Sequence, residues 1–166
     1  MWAGTALTVL KPPAAWPTTL KPLASTLRTY VKSTLISFKK AGINLDIVAL
    51  GNEIRHGMLW PVGYVDVDVQ PWSATVANFS SLATLYKAAR AGVDDAIHSG
   101  VRRPEVMIHV DNGWNVTLQQ RWYGALIANG VPESAFDTIG VSFYPFYGYV
   151  LNPNSSLPED FQGLRT

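Results

Sequence analysis

A chain of 166 residues with 13 basic and 12 acidic side chains has a formal charge of +1, which excludes the broad field that would attract nucleic acid or an anionic membrane. The absence of cysteine removes a disulfide framework and any thiolate metal site, and no apolar run approaches the ~20 residues that span a bilayer. What remains is a single domain with its own core and an uncharged or small partner. Six Trp and seven Tyr supply rings that fill a core or offer flat faces to sugars.

In chain order, residues 1–21 hold Pro12, Pro13 and Pro17 and read as irregular coil. Residues 22–41 place Leu23, Leu27, Tyr30, Val31, Leu35 and Phe38 at three- and four-residue steps and stop at Gly42, which predicts an amphipathic helix with a glycine stop. Asp46–Asn52 has strand character. A long connection over residues 54–75 carries Trp60, Pro61, Pro71 and Trp72, and long ordered loops are usually functional. A second helix is predicted over 76–99 from Phe79, Leu82, Tyr86, Ala89, Val93 and Ile97. A strand follows at Val106–Val110, a shorter helix from Leu118 through Trp122 and Leu126 to Gly130, and a third strand at Thr138–Tyr144. Residues 149–166 are polar and read as a loose tail. The expected organisation is one unit over 1–166 with its core at 22–148.

Alternating helices and strands imply a parallel sheet, because each parallel connection needs a crossover, so the fold class is α/β. Residues two apart share a strand face. On that rule Ala49, Gly51 and Glu53 oppose Val48 and Leu50; Met107, His109 and Asp111 oppose Val106, Ile108 and Val110; Gly140, Ser142 and Tyr144 oppose Ile139, Val141 and Phe143. One aliphatic face and one small or polar face per strand fits a closed barrel better than an open sheet covered on both sides. Glu53, Asp111 and Tyr144 would then point inward at the carboxyl ends of their strands, where such barrels keep active sites.

The chemistry centres on Gly51-Asn52-Glu53, where an apolar strand delivers an amide and an acid together. A carboxyl group among aromatic rings can stay protonated and act as general acid towards a glycosidic oxygen. The Asn52 amide can bind a neighbouring sugar hydroxyl. A retaining glycosidase also needs a second carboxylate about 5–5.5 Å away, and on position alone Asp111 is a candidate. The benign alternatives for Glu53 are a helix N-terminal acid and an ion pair with Arg55 or Arg90. His109-Val110-Asp111 could put two ligands on one side of a strand for a metal, with His56 nearby in sequence order, but a histidine in such a place more often hydrogen-bonds inside the barrel. Neither Gly-x-Ser-x-Gly nor a Gly-rich phosphate loop is present, which sets aside serine hydrolases, nucleotidases and Rossmann dehydrogenases.

Four segments together resemble the arabinogalactan endo-β-1,4-galactanase family: Ile47–Ile54, Gly57–Pro61, Met107–Trp114 and Gly140–Tyr147. The resemblance implies a glycoside hydrolase with a TIM (β/α)8 barrel, of which this stretch covers roughly strands 4 to 6, and a retaining double displacement; no cofactor and no metal-ligating residues are expected in this stretch. It implies Glu53 as acid/base, Asn52 as holder of the reacting sugar, Asp111 and Trp114 as cleft-lining residues, and Tyr144 as a partner of the nucleophile. His109 would be a buried support, and Asp111 thereby loses the nucleophile role. Trp2-Ala3 matches part of a Trp-Ala-Asp-Pro segment after strand 3, with Gly4 in place of Asp. The family's nucleophile is a Glu at the end of strand 7, which this sequence is expected to lack, so that the isolated chain would be an inactive fragment.

The resemblance further implies a polysaccharide partner, β-1,4-galactan or arabinogalactan from pectin, a monomeric parent and secretion. Sequons at Asn78, Asn115 and Asn154 fit a secretory route, while the first residues show no signal-type leader. A carbohydrate-binding pseudoenzyme and an inert truncated product are the alternative expectations.

Overall fold

The structure, a computed structural model, describes residues 11–142. Trp2, Tyr144, the end of the third predicted strand and the tail lie outside the described residues.

The first helix, α1 (Leu20–Lys40), starts after Thr19 with Pro22 in its first turn, where the missing N–H has no intrahelical partner to lose. Its end is a Schellman motif: Gly42 at φ 75° donates to the Lys39 carbonyl and Ile43 donates to the Phe38 carbonyl. The chain then enters strand β1 (Ile47–Ala49), passes through a 3-10 turn (Ile54–His56) and forms a short antiparallel hairpin, β2 (Gly57–Met58) and β3 (Gly63–Tyr64). The long helix α2 (Trp72–His98), strand β4 (Glu105–Val110), helix α3 (Val116–Ala128), a 3-10 turn (Glu133–Ala135) and strand β5 (Thr138–Val141) follow.

The main sheet has the order β1-β4-β5, all parallel, with Ile47 opposite Glu105 and Ile108 opposite Ile139. Two helical crossovers therefore join three parallel strands, as the alternation predicts. The face towards the helices is aliphatic: Val106, Ile108 and Val110 are buried, with Leu50 beside them. Met107 and His109 occupy the opposite face with Gly140, whose absent side chain leaves room for the Met107 sulfur and the His109 ring.

The helices pack as a pair. Phe79, Leu82, Leu85, Tyr86, Ala89, Val93 and Ala96 form the buried stripe of α2, and Leu23, Ala24, Leu27 and Leu35 that of α1. Where they cross, Gly92 lies so close to α1 that an added Cβ would meet the Arg28 carbonyl oxygen at 2.5 Å. Trp122 of α3 is fully buried and meets Phe79 edge to face, with ring centres 5.6 Å apart.

The first strand is shorter than predicted. Leu50 still donates to the Met107 carbonyl, but Gly51 then takes φ 100° and turns the backbone out of the sheet. Strand parity consequently ends before Glu53, and another device must aim that residue.

Candidate active site

The segment after β1 is built to turn. A side chain at Gly51 would place its Cβ 2.4 Å from the Ile54 methyl, in addition to the left-handed backbone that glycine accommodates. Glu53 itself sits at φ 50° and ψ 49°, a conformation that costs a non-glycine residue roughly 1–2 kcal/mol and that needs support from its surroundings.

Support comes from three sides. Ile54, 1% exposed, anchors the segment in the core. The Arg55 Nε donates to Asp111 Oδ1 at 2.9 Å, and the Arg55 carbonyl accepts from Trp122 Nε1 at 2.9 Å. The backbone N–H of Glu53 donates to Nδ1 of His109 at 3.3 Å, on the adjacent strand. Asn52 Oδ1 lies 3.0 Å from the same ring nitrogen.

The carboxylate of Glu53 points towards the end of β5. Ser142 Oγ donates to Glu53 Oε1 at 2.5 Å and lies 3.2 Å from His109 Nε2. Ser142 is fixed in turn, since its N–H donates to the Val110 carbonyl and its carbonyl accepts from Gly113. Four side chains, Asn52, Glu53, His109 and Ser142, thus form one connected group across the carboxyl ends of three parallel strands.

The expected site residues divide accordingly. Asn52 and Glu53 come together with His109. Asp111 lies at the same end, but its carboxylate is engaged by Arg55, and its carbonyl and that of Asn112 accept from Gln119 Nε2 at 2.7 and 2.9 Å. Trp114 is half-buried in the turn between β4 and α3. Trp2 and Tyr144 fall outside the described residues. Among the described residues no cluster of three His, Asp or Glu side chains suits a metal ion.

Sequence reasoning missed two features. Ser142 stood on the polar face by parity, yet nothing nearby in sequence linked it to an acid 89 positions away. The hairpin was read only as a long loop. It carries Trp60 and Tyr64 in an edge-to-face contact at 4.6 Å, with His56 stacked parallel to Tyr64, and these rings border an open hollow of ≈ 590 Å³ with Lys11 and Pro61. Gly57 and Gly63 were its signal: a Cβ on either would strike the opposite strand's backbone at 1.8 and 2.2 Å.

An acid held by a hydroxyl, an amide beside it and an aromatic pair on the following hairpin, Tyr64 exposed and Trp60 half-buried, make an arrangement suited to proton transfer on a carbohydrate. Comparison with known proteins agrees. A family profile described as Glycosyl hydrolase family 53 matches residues 2–166. An arabinogalactan endo-beta-1,4-galactanase of Humicola insolens is 40% identical over 136 residues, 81% of this chain and 37% of that protein. A probable arabinogalactan endo-beta-1,4-galactanase A of Neosartorya fischeri is 36% identical over 148 residues, 87% of this chain and 37% of its own length. The chain thus spans a little over a third of the length of the curated relatives it matches.

Among solved structures, one from a study of two fungal beta-1,4-galactanases superposes with a TM-score of 0.69 at 39% identity, covering 82% of this chain and 38% of that one. The GH53 catalytic domain of Ignisphaera aggregans gives 0.66 at 28% identity, covering 82% and 33%. The three parallel strands and their helices are accordingly a section of a (β/α)8 barrel.

Proposed function

This chain belongs to glycosyl hydrolase family 53, and on that premise we propose that the protein carrying it hydrolyses internal β-1,4-galactosidic bonds of galactan or arabinogalactan, with Glu53 as acid/base. The observation that carries this reading is the aimed carboxyl of Glu53, held at the carboxyl end of the parallel strands beside Asn52. In a retaining double displacement the acid first protonates the departing glycosidic oxygen while a second carboxylate attacks the sugar carbon; the same residue then deprotonates the water that releases the glycosyl intermediate. Glu53 fills the first role. The second carboxylate is expected from a later strand of the barrel.

Asn52 binds the hydroxyl next to the reacting carbon, Asp111 and Trp114 help to line the cleft, and Trp2 and Tyr144, which lie outside the described residues, are assigned to the substrate site by the family resemblance alone. Since Asp111 is paired with Arg55, it acts on substrate mainly by shaping the loop that bears Trp114. Secretion, a monomeric parent and pectic galactan as the natural polysaccharide belong to the same proposal.

The test is release of reducing ends from purified β-1,4-galactan by the protein that carries this stretch, beside its Glu53→Gln variant. Loss of general acid catalysis predicts a fall of about 10²–10⁴-fold. For Glu53→Ala, added azide should restore turnover of a galactoside with a good leaving group and yield a β-galactosyl azide. Wild-type turnover in Glu53→Gln would remove Glu53 from the reaction.

A further inference from the structure

The four-residue group around Glu53 contains more information than the position of an acid, because each hydrogen bond in it fixes the direction of the next. The Glu53 N–H points at His109 Nδ1, so that nitrogen is the acceptor and a neutral imidazole carries its proton on Nε2. Nε2–H then faces Ser142 Oγ, which accepts from it. The single hydroxyl proton of Ser142 is left for Glu53 Oε1. The opposite tautomer, with its proton on Nδ1, would satisfy Asn52 Oδ1 but set two N–H groups against each other at Glu53. It would also ask one serine proton to serve both Nε2 and Oε1. Turning the Asn52 amide by 180° sets an N–H in place of the oxygen facing Nδ1, where it shares the ring nitrogen's lone pair with the Glu53 N–H.

We propose that Ser142 and His109 are positioning residues that grip Glu53 at both ends, His109 as the Nε2–H tautomer, and thereby reserve Oε2 of Glu53 for proton transfer. The proposal rests on the reading of Glu53 as acid/base. One end of the grip is the backbone N–H, which supports the left-handed conformation of Glu53. The other is Oε1, committed to Ser142. The proton that passes to the departing sugar oxygen therefore leaves from Oε2, and the water that completes the cycle returns a proton to the same atom. His109 neither gains nor loses a proton during turnover. Gly140 is part of the device, since a Cβ there would lie 3.3 Å from His109 Cδ2 and 2.6 Å from the Met107 sulfur.

The experiment is a nitrogen-15 imidazole correlation spectrum of the chain labelled at its three histidines, with His109 assigned through His109→Gln. The expected wild-type signal for His109 is the Nε2–H tautomer. In Ser142→Ala the ratio of Nε2–H to Nδ1–H should fall by about fivefold, the equilibrium worth of one neutral hydrogen bond, while Ser142→Thr restores it. An Nδ1–H signal in the wild type, or an unchanged ratio in a folded Ser142→Ala, overturns the proposal. If Ser142→Ala fails to fold, the wild-type and Ser142→Thr spectra still decide. In the hydrolytic assay Ser142→Ala should lower kcat with KM unchanged. Absent hydrolysis with the expected spectra would count against the galactanase reading alone, and hydrolysis with the wrong tautomer against the positioning alone.

Discussion

At the scale of single residues, charge placement sets the expected responses. Asp137 precedes β5 and holds two donors: the Val106 N–H at 2.9 Å and the Arg103 guanidinium at 2.6 Å. The Val106 N–H first, and Arg103 second, hold its carboxyl below the ordinary 3.8. A depressed folded value means that the stabilisation is complete above the unfolded value and disappears as pH falls through the folded one. Asp137→Asn should therefore flatten the loss of thermal midpoint between about pH 5 and pH 2, as read by circular dichroism. Trp114→Ala should weaken galacto-oligosaccharide binding by up to about tenfold in calorimetry, the range of one aromatic contact. Glu53 was legible in the sequence because an apolar strand ends in Gly-Asn-Glu. Its left-handed backbone and its partner Ser142 were not, since local sequence does not say which distant strand end a side chain will meet.

At the scale of elements, the helices were readable and the hairpin was not. Leu23 through Phe38 and Phe79 through Ile97 repeat at helical spacing over several turns, which few other structures accommodate. Strands of two residues, such as Gly57–Met58 and Gly63–Tyr64, offer no alternation to detect. The packing of α1 on α2 depends on Gly92, so Gly92→Ala must displace Arg28 or Val31. A loss of about 1–3 kcal/mol in urea unfolding is expected, despite alanine's better helix propensity. Helix α3 begins where Asn115 accepts from the Leu118 N–H at 2.9 Å. Asn115→Ala should cost about 1 kcal/mol, and Asn115→Ser much less, because a hydroxyl can replace that cap.

At the scale of the whole molecule, parity read β4 correctly, with Val106, Ile108 and Val110 towards the helices and His109 towards the site, but it did not extend to Glu53, which lies beyond the end of its strand. Among the described residues, Ile47 at 50%, Ile139 at 53% and Val141 at 37% exposure lie on the two outer strands. Strands β1 and β5 each have one sheet partner among the described residues. Exposed apolar side chains on outer strands favour edge-to-edge association. The 166-residue chain alone should self-associate as its concentration rises in sedimentation velocity, and Ile139→Lys should suppress this; a single monomeric boundary at all concentrations would count against it.

The backbone of Glu53 has an evolutionary corollary. A position at φ 50° suits asparagine better than glutamate, so Glu53→Asn should match or exceed the wild type in thermal midpoint while abolishing hydrolysis. Folding selection alone would drift this codon away from an acid. The carboxyl of Glu53 is thus not what the backbone at this position asks for, and its removal should leave the fold intact.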